Sequence, residues 1–292
     1  MPRNTKPTST DYDYEVEQRP LFSLSPSGER IKTSVVGNFR TDNDVMIGHA
    51  TESYEILHNK DLVDSVREGL EACGIDNYEE NFVVARDGAR FYGEFKLPNL
   101  EREISVGDAV SMKLITNNSF DRTCSAGFSV GLERLVCSNG MVTLTADTSV
   151  AQKHSSRLSL KFIQKAIEQA KNKFDQSVKD FGNLRIFKLT PEEGSNFLDN
   201  LAGKKILSEK VKEHVDVIWR NPSLNEGFEI GGGFNLYNLY NAATQHLTRD
   251  VAESRYEYSN RVSGSLLRNL DKASRSQNHF KKMVKPLEAA LN

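Results

Sequence analysis

Asn81-Phe-Val-Val-Ala-Arg-Asp-Gly-Ala-Arg-Phe-Tyr-Gly-Glu-Phe-Lys-Leu97 is the stretch on which the fold turns. Two β-prone runs, Asn81 to Arg86 and Ala89 to Leu97, flank Asp87-Gly88. An Asp-Gly pair between such runs predicts a tight primed turn, because both central residues then need φ above zero. Two further extended runs follow, Ala109 to Thr116 and Ser125 to Cys137. Ser138-Asn139-Gly140 then turns the chain into Met141 to Leu144. The gaps are too short for crossover helices, so the reading is an antiparallel β meander.

Upstream, Ser34 to Arg40 and Val45 to Gly48 flank the polar Thr41 to Asp44, which reads as a strand pair and a turn. Tyr54 to Leu57 is a third short extended piece. Asn59 stands at an N-cap position, with Leu62, Val63, Val66, Leu70 and Ala72 at helical spacing and Gly74 as the stop. Residues 1–30 hold Pro2, Pro7, Pro20 and Pro26 among Ser, Thr and Asp, and read as a mobile N-terminal arm.

Downstream the period changes from two to about 3.6. Leu160, Ile163, Ile167, Ala170, Phe174, Val178 and Phe181 predict a long helix over about 157–181 that Gly182 ends. A helical region runs from Pro191 to Trp219, with Pro222 breaking it, and Gly231-Gly232-Gly233 precedes a helix over about 235–248. From Ala252 to Asn292 the chain is basic and helix-prone. The fold class is α+β: an N-terminal hairpin and helix, a β meander, a long basic helix and a mostly helical C-terminal part. Three segments follow: the arm 1–30, a single α+β domain over 31–250, and a basic helical C-terminal extension over 251–292.

The chain has 292 residues, enough to bury a core of ordinary size, and its mean hydropathy is −0.52. Its apolar runs fall short of the roughly 18 residues a membrane helix needs, so no membrane partner is expected. Asp11, Asp13, Glu15 and Glu17 stand where a secretory leader would be apolar. Cys73, Cys124 and Cys137 are an odd number without a C-x-x-C pair, which argues for a reducing compartment.

Enzymatic chemistry finds no positive sign in the sequence. Gly231-Gly232-Gly233 lacks the Lys-Ser/Thr of a phosphate-binding loop, so it reads as a glycine-rich loop feeding a helix. His49, His58, His154, His214, His246 and His279 show no metal-ligand spacing. The expectation is therefore a protein with no catalytic residues, no metal, no cofactor and no small-molecule substrate, with a nuclease as the enzymatic rival.

The net charge of −2 hides a split: residues 1–152 carry −9 and residues 153–292 carry +7. Either the second half meets nucleic acid, or an acidic face docks on a basic one between subunits. Lys153, Arg157, Lys161 and Lys165 recur every fourth residue, a spacing that makes one cationic ridge if the segment is helical. A phosphate backbone would relieve its self-repulsion, and a solvated face is the plain alternative. Arg90, Lys113, Arg122 and Arg134 add scattered cations from the meander. A second set runs Arg249, Arg255, Arg261, Arg268, Lys272, Arg275, Lys281, Lys282 and Lys285, interleaved with Tyr256 and Tyr258. Arginine beside aromatics suits single strands, where bases stack on rings.

Phe39-Arg-Thr-Asp42, with Gly48 and Tyr54 leading into Asn59-Lys-Asp-Leu62, resembles a phage and plasmid family. So do Arg134-Leu-Val-Cys-Ser-Asn-Gly-Met141, Lys153-His-Ser-Ser156 and Leu239-Tyr-Asn-Ala-Ala-Thr-Gln-His-Leu247. The resemblance is to the phage/plasmid-related domain-of-unknown-function family nine-three-two, over about 30–250. It implies a bacteriophage or plasmid setting in a bacterial host's cytoplasm and supplies no site residues. The element order also resembles the β-β-β-α core of Rad-fifty-two-type single-strand annealing proteins, whose subunits form rings or filaments around a stretched strand. The expected function is thus an oligomeric, self-associating single-stranded DNA binding and DNA annealing protein of recombination or replication. The alternative is a structural or inhibitory protein that contacts a host factor through its acidic half.

Overall fold

The computed structural model describes residues 12–135, 149–155, 160, 162–249 and 256–287. Within them the chain forms β1 (Val16–Leu24), β2 (Arg30–Arg40), β3 (Met46–Thr51), α1 (Asn59–Ala72), β4 (Glu79–Ala85), β5 (Arg90–Ser105), β6 (Asp108–Ser119), β7 (Ala126–Arg134) and β8 (Ser149–Gln152). The helices α2 (Phe162–Ile186), α3 (Pro191–Gly203), α4 (Glu209–Arg220), α5 (Leu236–Arg249), α6 (Tyr256–Arg275) and α7 (Gln277–Met283) follow. The strands make a three-stranded sheet of order β1-β2-β3 and a five-stranded sheet of order β4-β5-β6-β7-β8. This is the α+β class that the sequence predicts.

The decisive stretch folds as read, with one refinement. Asp87 and Gly88 both have positive φ (57° and 104°), and Ala89 N–H donates to Arg86 O at 2.9 Å. The pairing nevertheless starts at Ala85↔Arg90, so the primed turn sits inside a four-residue connection. The turn from Ser138 and the run from Met141 to Leu144 lie outside the described residues, as does Cys137.

The described residues within Met1–Leu97, Lys113–Val130 and Asp147–Ala170 cluster into one compact unit. Those within Pro98–Met112, Gly131–Ala146 and Lys171–Asn292 cluster into a second. The span 31–250 read as one α+β domain has residues in both units.

In the first unit, residues 12–30 are not a mobile arm. β1 pairs antiparallel with β2 from Val16↔Arg40 to Leu24↔Arg30. The reason is a period-two pattern that the acids obscure: Tyr12, Tyr14 and Val16 are buried while Asp13, Glu15 and Glu17 are exposed. Pro20 is accommodated because β1 is an edge strand, at a register irregularity between Pro20 and Phe22. Tyr14 donates its hydroxyl to Gly88 O at 2.5 Å, and burial pushes that phenol up to about 12. The Arg40 guanidinium lies 3.9 Å over the same ring. On α1, Leu62, Val63, Val66 and Leu70 are each 0% exposed, about 1.5–3 kcal/mol apiece of upper-bound burial energy. Asn59 is not the N-cap. His58 holds that position without a side-chain bond, and the buried Asn59 amide donates instead to Tyr12 O and Tyr14 Oη (3.4 and 3.2 Å). Gly74 takes the expected positive φ of 70°.

In the second unit, α3 to α7 pack in chain order, α3 on α4, α4 on α5, α5 on α6 and α6 on α7. Thr190 and Glu193 close a capping box around the first turn of α3, with Pro191 at its start. α2 does not stop at Gly182. It runs on to Ile186, since burying Leu184 at 2% exposure outweighs the roughly 1 kcal/mol a helical glycine costs. The C-terminal segment is no appendage either: Val262, Leu266, Leu270 and Ala273 of α6 are buried in this unit.

Candidate nucleic-acid interface

Of the predicted ridge, Lys153 is not on a helix: it follows β8 and is exposed, and the described part of α2 begins at Phe162. Lys165 is exposed on α2, while Arg157 and Lys161 lie outside the described residues. The neighbouring His154 turns inward, stacked on Tyr54 with ring centroids 4.7 Å apart and Nδ1 3.2 Å from Glu55 O.

Three of the four meander cations are internal. Arg134 and Asp108 are both 0% exposed, joined through Nε–Oδ1 at 2.6 Å and Nη2–Oδ2 at 2.8 Å. Arg134 also donates to the carbonyls of Glu226 (3.1 Å) and Gly227 (3.0 Å), and its guanidinium lies 5.0 Å from the Tyr237 ring centre. Lys113 places Nζ 3.0 Å from Glu94 Oε1, its side chain 4% exposed. Arg90 donates from Nε to Thr123 Oγ1 at 2.7 Å, with Asp121 at 3.9 Å. These groups brace the units they sit in and offer nothing to a phosphate. Arg122 alone of the four is exposed, at a positive φ of 63° in the turn before β7.

The glycine triplet is no anion cradle. The N–H groups of Gly231, Gly232 and Gly233 donate to Gly227 O, Glu229 O and Phe228 O. Their carbonyls accept from side chains: Arg185 and Asn235 on Gly231 O, Lys188 on Gly232 O, Asn238 on Gly233 O. A phosphate site needs free amides, and these already have partners. Among the described residues no group of three or more His, Cys, Asp or Glu is placed to hold a metal ion. His214 and His246 do stack, at 4.9 Å.

Where the structure does gather exposed cations is α6. Arg261, Arg268, Lys272 and Arg275 are separated by seven, four and three residues, which confines them to a sector of about 60° on the helix. The buried Val262, Leu266, Leu270 and Ala273 take the opposite side. Arg275 is engaged by Asp271 (2.8 Å) and Asp180 (3.7 Å). Arg261, Arg268 and Lys272 are exposed and have no ion pair among the described residues. Arg261 lies 5.7 Å from the half-buried Tyr258 ring. The sequence flagged this set, but its helical phase is legible only once α6 has a start and a buried side. Arg255 and the side chains of Arg249 and Tyr256 lie outside the described residues.

A second concentration lies where Lys204 at the end of α3, Lys272 on α6, and His279 and Lys282 on α7 come within electrostatic range of one another. Desolvation and the charges of Lys272 and Lys282 hold the Lys204 ammonium below the usual lysine range. Sequence reading missed this group, because Lys204 is far from the others in the chain.

No helix among the described residues is long and apolar enough to cross a membrane. No curated protein matches the chain, and no solved structure does, so the likeness to Rad-fifty-two-type proteins rests on element order alone. The description Domain of unknown function (DUF932) matches residues 46–291, which takes in α1 to α7 and leaves β1 and β2 outside. With most of its length matched, the chain belongs to the DUF932 family of domains of unknown function.

Proposed function

We propose that the protein binds single-stranded DNA along α6 and promotes pairing with a complementary strand, as a non-catalytic, self-associating protein of phage or plasmid recombination or replication in a bacterial cytoplasm. The observation that carries this reading is the row Arg261, Arg268 and Lys272, three exposed cations in phase without ion pairs among the described residues. Holding like charges four apart opposes helix stability by a few tenths of a kcal/mol, and neutralisation by phosphates relieves it. Tyr258 beside Arg261 supplies a ring on which a base can stack. Self-association is supported by the exposed Phe22 and Leu24 on β1 and Ile31 on β2, and by opposite charge in the two halves of the chain.

The test is the salt dependence of binding to a labelled oligonucleotide. Arg261→Ala/Arg268→Ala should lower the slope of log K against log salt by about 1.4, since each phosphate neutralised on a single strand adds about 0.7. Lys153→Ala/Lys165→Ala should leave it unchanged. No binding at low salt, or the reverse pattern, sinks the reading. Binding without faster annealing of complementary strands would reduce it to strand binding alone.

One observation favours the alternative of a host protein docking on the acidic half. Asp64, Glu68, Glu71 and Asp76 line a cleft of about 550 Å³ beside α1 with Arg67 and Tyr78. Under that reading, one host protein is retained from nuclease-treated lysate and is lost with Glu68→Lys/Glu71→Lys.

A further inference from the structure

Beside the α6 row, at the meeting of α3, α6 and α7, Lys204, Lys272, His279 and Lys282 lie within electrostatic range of one another. Two amides build this meeting. Asn200 Nδ2 donates to Met283 O (3.1 Å) and Lys285 O (2.9 Å), and Asn196 Nδ2 donates to Val284 O (3.0 Å). The last turns of α3 are thereby pinned to the end of α7. Lys204, one turn beyond Asn200, rests its Nζ on Met283 Sδ at 2.9 Å, next to Lys282. His279 lies one turn before Met283 on the same side of α7.

Three features point to a ligand. First, Lys204, Lys272 and Lys282 have no ion pair among the described residues, so the cluster is uncompensated. Second, desolvation, and after it the charges of Lys204 from α3, Lys272 from α6 and Lys282 from α7, all cations, hold the His279 imidazole below its usual range. Third, His279 Nε2 is buried and has no hydrogen-bond partner. A buried polar atom without a partner and a knot of like charge are both unfavourable alone, and one anion would relieve both.

We propose that Lys204, Lys272, His279 and Lys282 form a site for a phosphomonoester, the terminal phosphate of a bound strand. An internal phosphodiester carries one charge and is served by the exposed row. A monoester carries about −1.5 to −2 at pH 7, which matches three lysines. Its arrival also restores the basicity of His279, which takes up a proton and turns the unpartnered Nε2 into a donor. The inference rests on the strand-binding reading, since Lys272 belongs to the α6 row.

The experiment compares oligonucleotides of one sequence ending in a 5′-phosphate, a 3′-phosphate or hydroxyls, with inorganic phosphate as competitor. One phosphorylated end should bind about tenfold tighter than the hydroxyl end, the worth of one charge-assisted contact. Lys204→Ala/His279→Gln should bring that ratio to about one and leave hydroxyl-ended affinity unchanged. The preference should also grow as pH falls from about 8 towards 6.5, and His279→Gln alone should remove that growth. Inorganic phosphate should erase the preference without displacing the hydroxyl-ended strand. Equal binding of all three ends by the natural protein overturns the site and leaves strand binding standing. Should no strand bind, the α6 reading fails, and phosphate titration of the His279 ring signals in NMR decides the site alone: unmoved signals overturn it.

Discussion

Arg134→Met tests whether a cation that looks like a phosphate ligand in the sequence is instead a pin of the second unit. The guanidinium and Asp108 are wholly buried, in a two-point ion pair at 2.6 and 2.8 Å. Methionine fills similar length but leaves the Asp108 carboxylate buried without its cation and removes the Arg134 donor from two loop carbonyls, those of Glu226 and Gly227. Removing one member of a buried pair costs about 3–5 kcal/mol, far more than the pair contributes over an apolar replacement. Arg134→Met/Asp108→Leu should therefore recover most of the stability, apart from the Tyr237 hydroxyl that now donates to Asp108 at 3.3 Å. Urea unfolding followed by fluorescence reads this unit directly, because Trp219 is the only tryptophan and is 0% exposed on α4. A single mutant destabilised by less than about 1 kcal/mol, or a double mutant no better than Arg134→Met, would falsify the pin.

Three smaller perturbations test the surroundings. A Cβ at Gly194 would overlap the Trp219 indole, so Gly194→Ala should cost about 1–3 kcal/mol and shift Trp219 emission; unchanged emission contradicts the packing. Thr190 Oγ1 accepts from Glu193 N–H at 3.1 Å and Glu193 Oε2 accepts from Thr190 N–H at 2.8 Å, so Thr190→Ala should lose about 1 kcal/mol and Thr190→Ser should regain most of it in the same urea assay. Burial holds the His154 imidazole below its ordinary range, against a lesser lift from Glu55 O. The unfolded chain then takes a proton first, so stability is unaffected above about pH 6.5 and falls as pH drops from there towards the folded value. His154→Phe should flatten that fall by up to about 1.4 kcal/mol per pH unit, the remainder coming from groups such as His279 that shift in the same sense. An identical pH profile in the mutant would refute the assignment.

Much of the backbone was legible because its signals are local. Asp87-Gly88 sets a turn by steric freedom at φ above zero, and the turn forms. The apolar spacing over 160–181 marks α2, and Pro191 and Pro222 bracket two helices, α3 and α4. The family fragments around Arg134 and Leu239, inside the matched span 46–291, were readable for the same reason, while Phe39 to Asp42 falls outside it. β1 failed the reading because its period-two tyrosines alternate with acids, so its low average apolarity masked the pattern.

Which charges are free was not legible. Arg134 is an ordinary surface-type residue until Asp108, 26 positions away, and the carbonyls of Glu226 and Gly227, 92 and 93 away, close around it. Lys113 and Arg90 are taken up in the same way by Glu94 and Thr123. On α6 the reverse happens: the buried side fixes a phase, and the phase leaves Arg261, Arg268 and Lys272 in solvent. The α+β order, the turn and the charge asymmetry are readable from the chain, because propensity, periodicity and net charge depend on a residue and its near neighbours. Which cations are buried in ion pairs and which stay in solvent is not, because burial and pairing are set by partners that chain separation conceals until the fold brings them together.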